Sequence, residues 1–400
     1  MAAHREDSTA PQDEQLLLPP RRPQGFRVAP PGQASRHFHA SMPSYSATPL
    51  RTAPAAARLL GVAEVLVKDE SARLGLPSFK ILGASWAVNR ALAARLGTGT
   101  GSFPTFQDLQ DAAAALRPLT LSAATDGNHG RAVARMARLL GFQAQIYVPA
   151  GTAPARADAI RGEGASVTVI DGGYEQAVRR SAEDASRTCL VISDTSWDGY
   201  EQIPRWIIDG YQTIFSEVEE ELAARDGARP DVVAVPVGVG ALAAATVQHF
   251  WAAPDPRPKL VSVEPVTAAC VLDSAAAGRL TTLDRPQTSI MAGLNCATPS
   301  LVAWPVVSRG FDCYLSVSDQ RVPVAMRVLA EDGIEAGETG AGGLAGMLRL
   351  TRGQDSEDVL AALGWGPGTR VLLLCTEGPT DPDAYLRLTT GGNPARMDQD

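Results

Sequence analysis

The stretch PSFKILGASWAVNRALAARL, residues 77–96, places Lys80 directly after a Pro-Ser-Phe turn. Lys80 is one of three lysines in a chain that carries thirty-three arginines. An amine can do what a guanidinium cannot: once neutral, it attacks a carbonyl and forms a Schiff base. At the start of a helix and partly buried, this amine is expected to have a lowered pKa, because burial and the helix dipole both disfavour the cation. From spacing alone, a surface lysine or an ion pair fits equally. Lys68, in VLVKDE beside Asp69 and Glu70, reads as a strand-end ion pair, and Lys259, among prolines, as a solvated residue.

A second feature could hold an anion. DVVAVPVGVGALAAATVQHF, residues 231–250, runs from strand to Gly-rich turn to helix. Gly238, Val239, Gly240 and Ala241 would turn successive backbone N–H groups outward at a helix N-terminus, an arrangement that suits phosphate. The same residues, with Ala243 and with Glu264 at the end of the next strand, also fit a dinucleotide fingerprint. The loop alone leaves phosphate of either cofactor, or a purely structural turn, open. A Schiff-base lysine together with a phosphate cradle is what pyridoxal phosphate requires.

Three further segments carry polar groups. SAATDGNHGRAVA (122–134) presents Asp126, Asn128 and His129 in a strand-to-helix turn, where Asp126 could equally be a helix cap. DTSWDGYEQIPRWIIDGYQTI (194–214) begins with Asp194 and leads into an aromatic-rich helix. LLLCTEGPTD (372–381) ends a buried strand with the neutral groups of Cys375 and Thr376. Singly these are turns and caps. Together they put polar groups at the carboxyl ends of four strands, where α/β sheets bind ligands.

The elements that must position these residues are legible as runs. VAEVLVK, QAQIYVP, SVTVID, CLVIS, VVAVPV, KLVSVE and RVLLLC read as buried strands. RAVARMARLLG and EQAVRRSAEDASR read as helices between them, with Gly141 closing the first. Alternation of this kind predicts an α/β fold of mostly parallel sheets flanked by helices, in two domains with a cleft between them. The Pro-, Gln- and Arg-rich residues 1–40 read as a flexible arm. A formal charge of -8 and the lack of a basic run argue against a nucleic-acid partner. Five scattered cysteines without CxxC spacing fit reduced thiols and no metal site. With no apolar run near the roughly 20 residues that span a bilayer and a polar N-terminus, the reading is cytoplasmic, with no membrane partner.

The motifs resemble those of the fold-type II pyridoxal-phosphate enzymes, related to the tryptophan synthase β chain. Within them the sequence is most similar to the diaminopropionate ammonia-lyases, from about Tyr45 to Tyr385. SFKILGA resembles the cofactor-lysine motif and TDGNHGRAVA the segment that contacts the ring oxygen. DTSWDGYEQIPRWIIDGY, VEPVTAAC, SIMAGLNCATPS, GIEAGETGA and CTEGPTDP resemble stretches particular to the ammonia-lyases. The resemblance implies pyridoxal 5'-phosphate bound through Lys80, with Phe79 beside it and Asn128 on the phenolic oxygen. Gly238, Val239, Gly240 and Ala241 would hold the phosphate. Thr376, with Cys375, would face the pyridine nitrogen, and Glu338 would be an acid near the ring. A hydroxyl or thiol there makes the ring a weaker electron sink, which favours rapid expulsion of a β-group. Asp126 and Asp194 would stand beside the substrate as catalytic carboxylates.

The implied reaction is α,β-elimination of ammonia from 2,3-diaminopropionate, giving pyruvate and ammonia by way of aminoacrylate, on a small amino-acid substrate in a homodimer. Dehydration or β-replacement on serine, threonine or a related amino acid is the alternative within the class. An NAD oxidoreductase and a non-catalytic binding protein are the alternatives outside it. The implied division is a large cofactor-binding domain, 41–88 with 226–390, a small domain, 89–225, and a flexible tail, 391–400. Ala84, Ala243 and Ala297 stand where glycines are expected, and Thr339 replaces the serine of GESGA. Ala297 and Thr339 are expected on the substrate side.

Overall fold

The computed structural model describes residues 13–19, 26–99, 101–225, 227–253, 255–353 and 356–390. Two sheets organise them. The first has seven strands: β1 (Leu16–Leu17), β2 (Leu50–Thr52), β3 (Glu64–Asp69), β8 (Val232–Pro236), β9 (Lys259–Pro265), β10 (Cys313–Val317) and β11 (Arg370–Cys375). Their order is β1-β10-β9-β8-β11-β3-β2. The second has four: β4 (Thr120–Ala124), β5 (Gln143–Pro149), β6 (Ser166–Ile170) and β7 (Cys189–Val191), in the order β6-β5-β4-β7. The four-stranded sheet is parallel throughout. The seven-stranded sheet is parallel except at its edges, where β1 and β2 pair antiparallel.

Every run read as a strand forms one. Continuous Val, Leu and Ile runs lie in strands covered on both faces by helices, as in parallel α/β sheets; in β8 and β11 nearly every residue is buried. Gly141 ends the helix Asn128–Leu140 at φ +67°, its N–H bonded to the carbonyls of Ala137 and Arg138. β4 and β10 were not read as separate runs, because Ala- and Ser-rich TLSAA and the short CYLSV lack a distinct β-branched signal.

The arm expected over residues 1–40 is packed wherever it is described. Leu16 and Leu17 add a strand to β10, and Glu14 pairs with Arg321 at 2.6 Å and Arg349 at 3.1 Å. The helix Ala34–Ala40 sinks Phe38 and His39 to zero exposure, with the His39 ring between Thr213 Oγ1 and Leu82 O. Two leucines and a phenylalanine in a polar segment bury enough apolar surface to fix it. Residues 1–12 and 20–25 of the arm, and the tail 391–400, lie outside the described residues.

Two helices set the position of Lys80. It is the first residue of the helix Lys80–Leu96, which crosses the long helix Gln202–Ala224. The crossing is close because each helix presents a glycine. A Cβ on Gly83 would come 2.5 Å from the Tyr211 ring, and one on Gly210 would come 2.5 Å from Leu82 O. Below this crossing lies a buried ionic cluster that corrects the reading of Lys68. Its ammonium is fully buried and bonds Glu217 and Glu221, each at 2.9 Å, while Asp69 pairs with Arg51 and Glu70 with Arg73. Alternation sends Asp69 to the face opposite Lys68, and Glu70 is taken by Arg73 at 2.6 Å. Lys259 is 41 % exposed, 3.4 Å from Asp312.

Candidate active site

The carboxyl ends of β4, β7, β8 and β11 and the start of the Lys80 helix converge on one cavity. It is lined by Phe79, Lys80, Asp126, Asn128, Asp194, Gly238, Val239, Gly240, Ala241 and Thr376, ten of the twelve residues singled out above. His129, Arg156, Tyr174, Cys296, Thr339 and Glu377 line it as well.

Lys80 Nζ donates to Asp194 Oδ2 at 2.8 Å. Burial alone would lower the lysine's pKa, but the negative charge of Asp194 outweighs it and holds the amine well above the ordinary lysine range. The expectation of a depressed lysine is therefore corrected for this state: helix dipole and burial lose to a carboxylate in direct contact. Asp194 answers in kind. Burial pushes it up, but the Lys80 ammonium and a 3.0 Å hydrogen bond from Tyr174 Oη hold it well below the carboxylate range.

Asp194 is held by its own loop. Trp197 and Tyr200 stack with ring centroids 4.0 Å apart, and Tyr200 Oη donates to Val191 O at 2.8 Å and accepts from Ser193 N at 2.9 Å. His129 Nε2 lies 2.7 Å from Ile192 O, which can only accept, so Nε2 carries the hydrogen. The bare Nδ1 then faces Asp194 at 3.9 Å and has no hydrogen-bond partner among the described residues.

Asp126 is not a cap. Gly127 is the N-cap of the helix Asn128–Leu140, and no side chain caps that helix. The Asp126 carboxylate accepts no hydrogen bond among the described residues, and burial, then the charge of Asp194, push its pKa up to about 7. An acid with that value exchanges protons near neutrality, the range a general base needs.

Two of the expected residues do not reach the cavity. The Cys375 thiol points into the core and lies 3.4 Å from Glu377 O, because alternation along β11 sends it to the face opposite Thr376. Glu338 is 5 % exposed but does not line the cavity, although burial raises its pKa. The acid that lines it is Glu377, two residues past the end of β11, in CTEGPTD. In the sequence it stands beside the neutral Thr376 with nothing local to mark it. Of the small-for-small changes, Ala243 and Thr339 line the cavity, whereas Ala297, expected on the substrate side, lies outside it with its N–H on Glu175 Oε1 at 3.1 Å.

The dinucleotide alternative fails on Glu264. It is fully buried and both its oxygens are used, accepting from Val271 N at 2.7 Å and Leu272 N at 2.8 Å at the start of the helix Cys270–Ala277. No ribose hydroxyl could reach it.

Pyridoxal phosphate fits the remaining groups. The amides of Gly238, Val239, Gly240 and Ala241 have no acceptor among the described residues, and they sit at the N-terminus of the helix Ala241–Ala252. Gly240 has φ +98°, and a Cβ on Gly238 would be 3.2 Å from Gly293 O and 3.3 Å from Cys296 Sγ. Gly240 is therefore favoured as glycine by its backbone, and Gly238 leaves little room for a side chain. The buried hydroxyls of Thr339 and Thr376 face the same space without partners. These are polar atoms a ligand would satisfy. The residues present could hold the phosphate on the amides, a ring beside Thr376 and an aldehyde at Lys80.

Comparison with known proteins agrees. The family described as pyridoxal-phosphate dependent enzyme matches residues 42–363. The diaminopropionate ammonia-lyase of Salmonella typhimurium is 34 % identical over 370 residues, covering 90 % of this chain and 91 % of that protein. The crystal structure of the holo diaminopropionate ammonia lyase from Escherichia coli superposes with a TM-score of 0.85 at 31 % identity, covering 96 % of this chain and 98 % of that one. The same enzyme in complex with an aminoacrylate-PLP azomethine reaction intermediate superposes with a TM-score of 0.83 at 30 % identity, again over 96 % and 98 %.

Proposed function

This chain belongs to the pyridoxal-phosphate dependent enzyme family, and we propose that within it the protein eliminates ammonia from 2,3-diaminopropionate, yielding pyruvate and two equivalents of ammonia. The observation that carries the choice of substrate is the pairing of Asp194 with an ammonium, that of Lys80, at 2.8 Å. Asp126 stands in the same cavity with no hydrogen-bond partner among the described residues. A substrate with two amino groups brings one more cation than serine or threonine does. When Lys80 is committed to the cofactor, Asp194 is left as a buried carboxylate in need of another cation. A β-ammonium satisfies it, and a β-hydroxyl does not.

Bound pyridoxal phosphate would supply an aldehyde for the substrate's α-amino group and a ring that draws electrons from the α-carbon. The chain's residues do the rest. Lys80, once released, takes the α-proton from the side on which it stands, which serves the L-enantiomer. Asp126, at about 7, takes it from the other side for the D-enantiomer. Asp194 holds the β-ammonium until the carbon–nitrogen bond breaks and that nitrogen leaves as ammonia. The α,β-unsaturated amino acid then leaves, and water replaces its amino group to give pyruvate and the second ammonia. Asn128 and Thr376 would orient the ring, with Phe79 beside Lys80, its ring centroid 5.4 Å from Nζ, and Gly238, Val239, Gly240 and Ala241 would hold the phosphate.

The same reading takes residues 41–88 with 226–390 as the cofactor-binding domain and 89–225 as the smaller one. It takes the protein as a cytoplasmic homodimer. Free thiols at all five cysteines support a reducing compartment, and no described helix is long and apolar enough to cross a membrane. The test is 2-oxo-acid formation: pyruvate from both diaminopropionate enantiomers and from serine, and 2-oxobutyrate from threonine. Diaminopropionate should lead in kcat/KM; a preference for serine or threonine would move the enzyme to the dehydratases.

A further inference from the structure

Glu377 follows Thr376 at the end of β11, is 3 % exposed, and lines the cavity. Its two oxygens accept from opposite sides of the cleft. Oε1 takes the backbone N–H of Thr339 at 3.2 Å, on the seven-stranded side. Oε2 takes Nδ2 of Asn128, which heads the helix after β4 of the other sheet. An asparagine side chain can present either its donor or its acceptor end, and only its neighbours decide which. A carboxylate accepts and cannot donate, so it fixes the Asn128 amide with Nδ2 inward.

We propose that Glu377 is a positioning residue that locks the orientation of Asn128, so that the second Nδ2 hydrogen faces the cavity as a donor to the ring oxygen of the cofactor. The inference rests on the cofactor assignment and not on the substrate. A donor at that oxygen favours its deprotonated form, and an inverted Asn128 would present a lone pair and disfavour it.

Glu377→Gln makes the inversion obligatory. The Thr339 N–H can only donate, so Gln Oε1 must meet it, and Gln Nε2, also a donor, must face Asn128. Asn128 then turns its oxygen toward position 377 and the cavity. The experiment is a pH titration of the visible absorbance of the holoenzyme, with no substrate present. In Glu377→Gln the midpoint should rise by about one pH unit or more relative to wild type, the size of one hydrogen bond to a charged group. It should rise further than in Asn128→Ala, which removes the donor without adding an acceptor. In the Asn128→Ala background, Glu377→Gln should have no further effect, because Glu377 acts through Asn128. An unchanged midpoint in Glu377→Gln, or a shift of equal size with and without Asn128, overturns the proposal, the latter by showing a direct effect of the Glu377 charge. A wild-type protein that takes up no pyridoxal phosphate would instead refute the cofactor reading itself. Phosphate addition to the apo proteins, followed by thermal melting, confirms that each variant is folded and keeps its anion site.

Discussion

Lys80 Nζ lies 2.8 Å from Asp194 Oδ2, joining the helix that follows β3 of one sheet to the loop that follows β7 of the other. The pair sets the resting charge of the site: an ammonium held by a carboxylate, with Asp126 nearby and unpaired. It also makes Lys80 a stand-in for the substrate's own cation, which is why Asp194 is assigned to the β-nitrogen.

Asp194→Asn removes the charge that raises the Lys80 pKa, so the amine should become more often neutral near pH 7. In cofactor-free protein an amine-selective acylating reagent, mapped by mass spectrometry, should label Lys80 faster in the variant than in the wild type. In the holoenzyme the KM for diaminopropionate should rise at least tenfold, the worth of roughly one buried charge-assisted contact. Equal labelling rates would mean that the pair does not control the amine.

Lys80→Arg keeps a cation for Asp194 and should fold, but a guanidinium forms no Schiff base under these conditions. Borohydride treatment of the wild type with pyridoxal phosphate should leave a reduced adduct on Lys80, and the variant should leave none. An adduct on Lys68 is not expected, because that ammonium is fully buried between Glu217 and Glu221; finding one, or one on Lys259, would displace Lys80 from its role.

Gly240→Asp places a side chain and a negative charge at a φ of +98°, beside the amides proposed to hold the phosphate. Cofactor affinity measured by equilibrium dialysis should fall by two orders of magnitude or more, on the order of the 3 kcal/mol that strain plus like-charge repulsion supply together. Full occupancy in this variant would make the turn structural.

Much of this arrangement is legible in sequence because strands with helices on both faces are written as continuous Val, Leu and Ile runs, and because the turns that follow β4, β8 and β11 must be small and polar to leave room for a ligand. Lys80, Asp126, Asn128 and Asp194 all fall in such turns or helix starts. What sequence does not carry is which face a residue takes and which partner lies across the cleft. Cys375 and Thr376 are adjacent, yet only Thr376 reaches the cavity. Glu338 and Glu377 are both acids near the ring's expected place, yet the chain brings only Glu377 to Asn128. The pairing of Lys68 with a helix about 150 residues away is of the same kind. Nothing local announces it.

Glu264 has a structural duty, not a cofactor one. Burial pushes its pKa from 4.5 up to about 8, so the folded state favours the protonated acid. A raised folded pKa contributes stability below the unfolded value and loses it as pH climbs through the folded one. Thermal melting should show the wild type more stable than Glu264→Gln at pH 5, with the gap narrowing toward pH 9, while pyridoxal phosphate content stays equal. A variant that lost cofactor but kept its Tm would restore a ligand role for Glu264.

The central claim is that the substrate is deprotonated from two sides, by Lys80 and by Asp126, and Asp126→Asn tests it most directly. The substitution keeps the shape of the turn and removes the base. For the wild type, kcat/KM on D-2,3-diaminopropionate should rise with pH through a midpoint near 7, because Asp126 must first lose its proton. The measurement is pyruvate production by wild type and Asp126→Asn on each enantiomer across that range. D-turnover should be abolished in the variant and L-turnover reduced far less. Equal losses on both enantiomers, with the fold and the cofactor absorbance intact, would contradict the assignment.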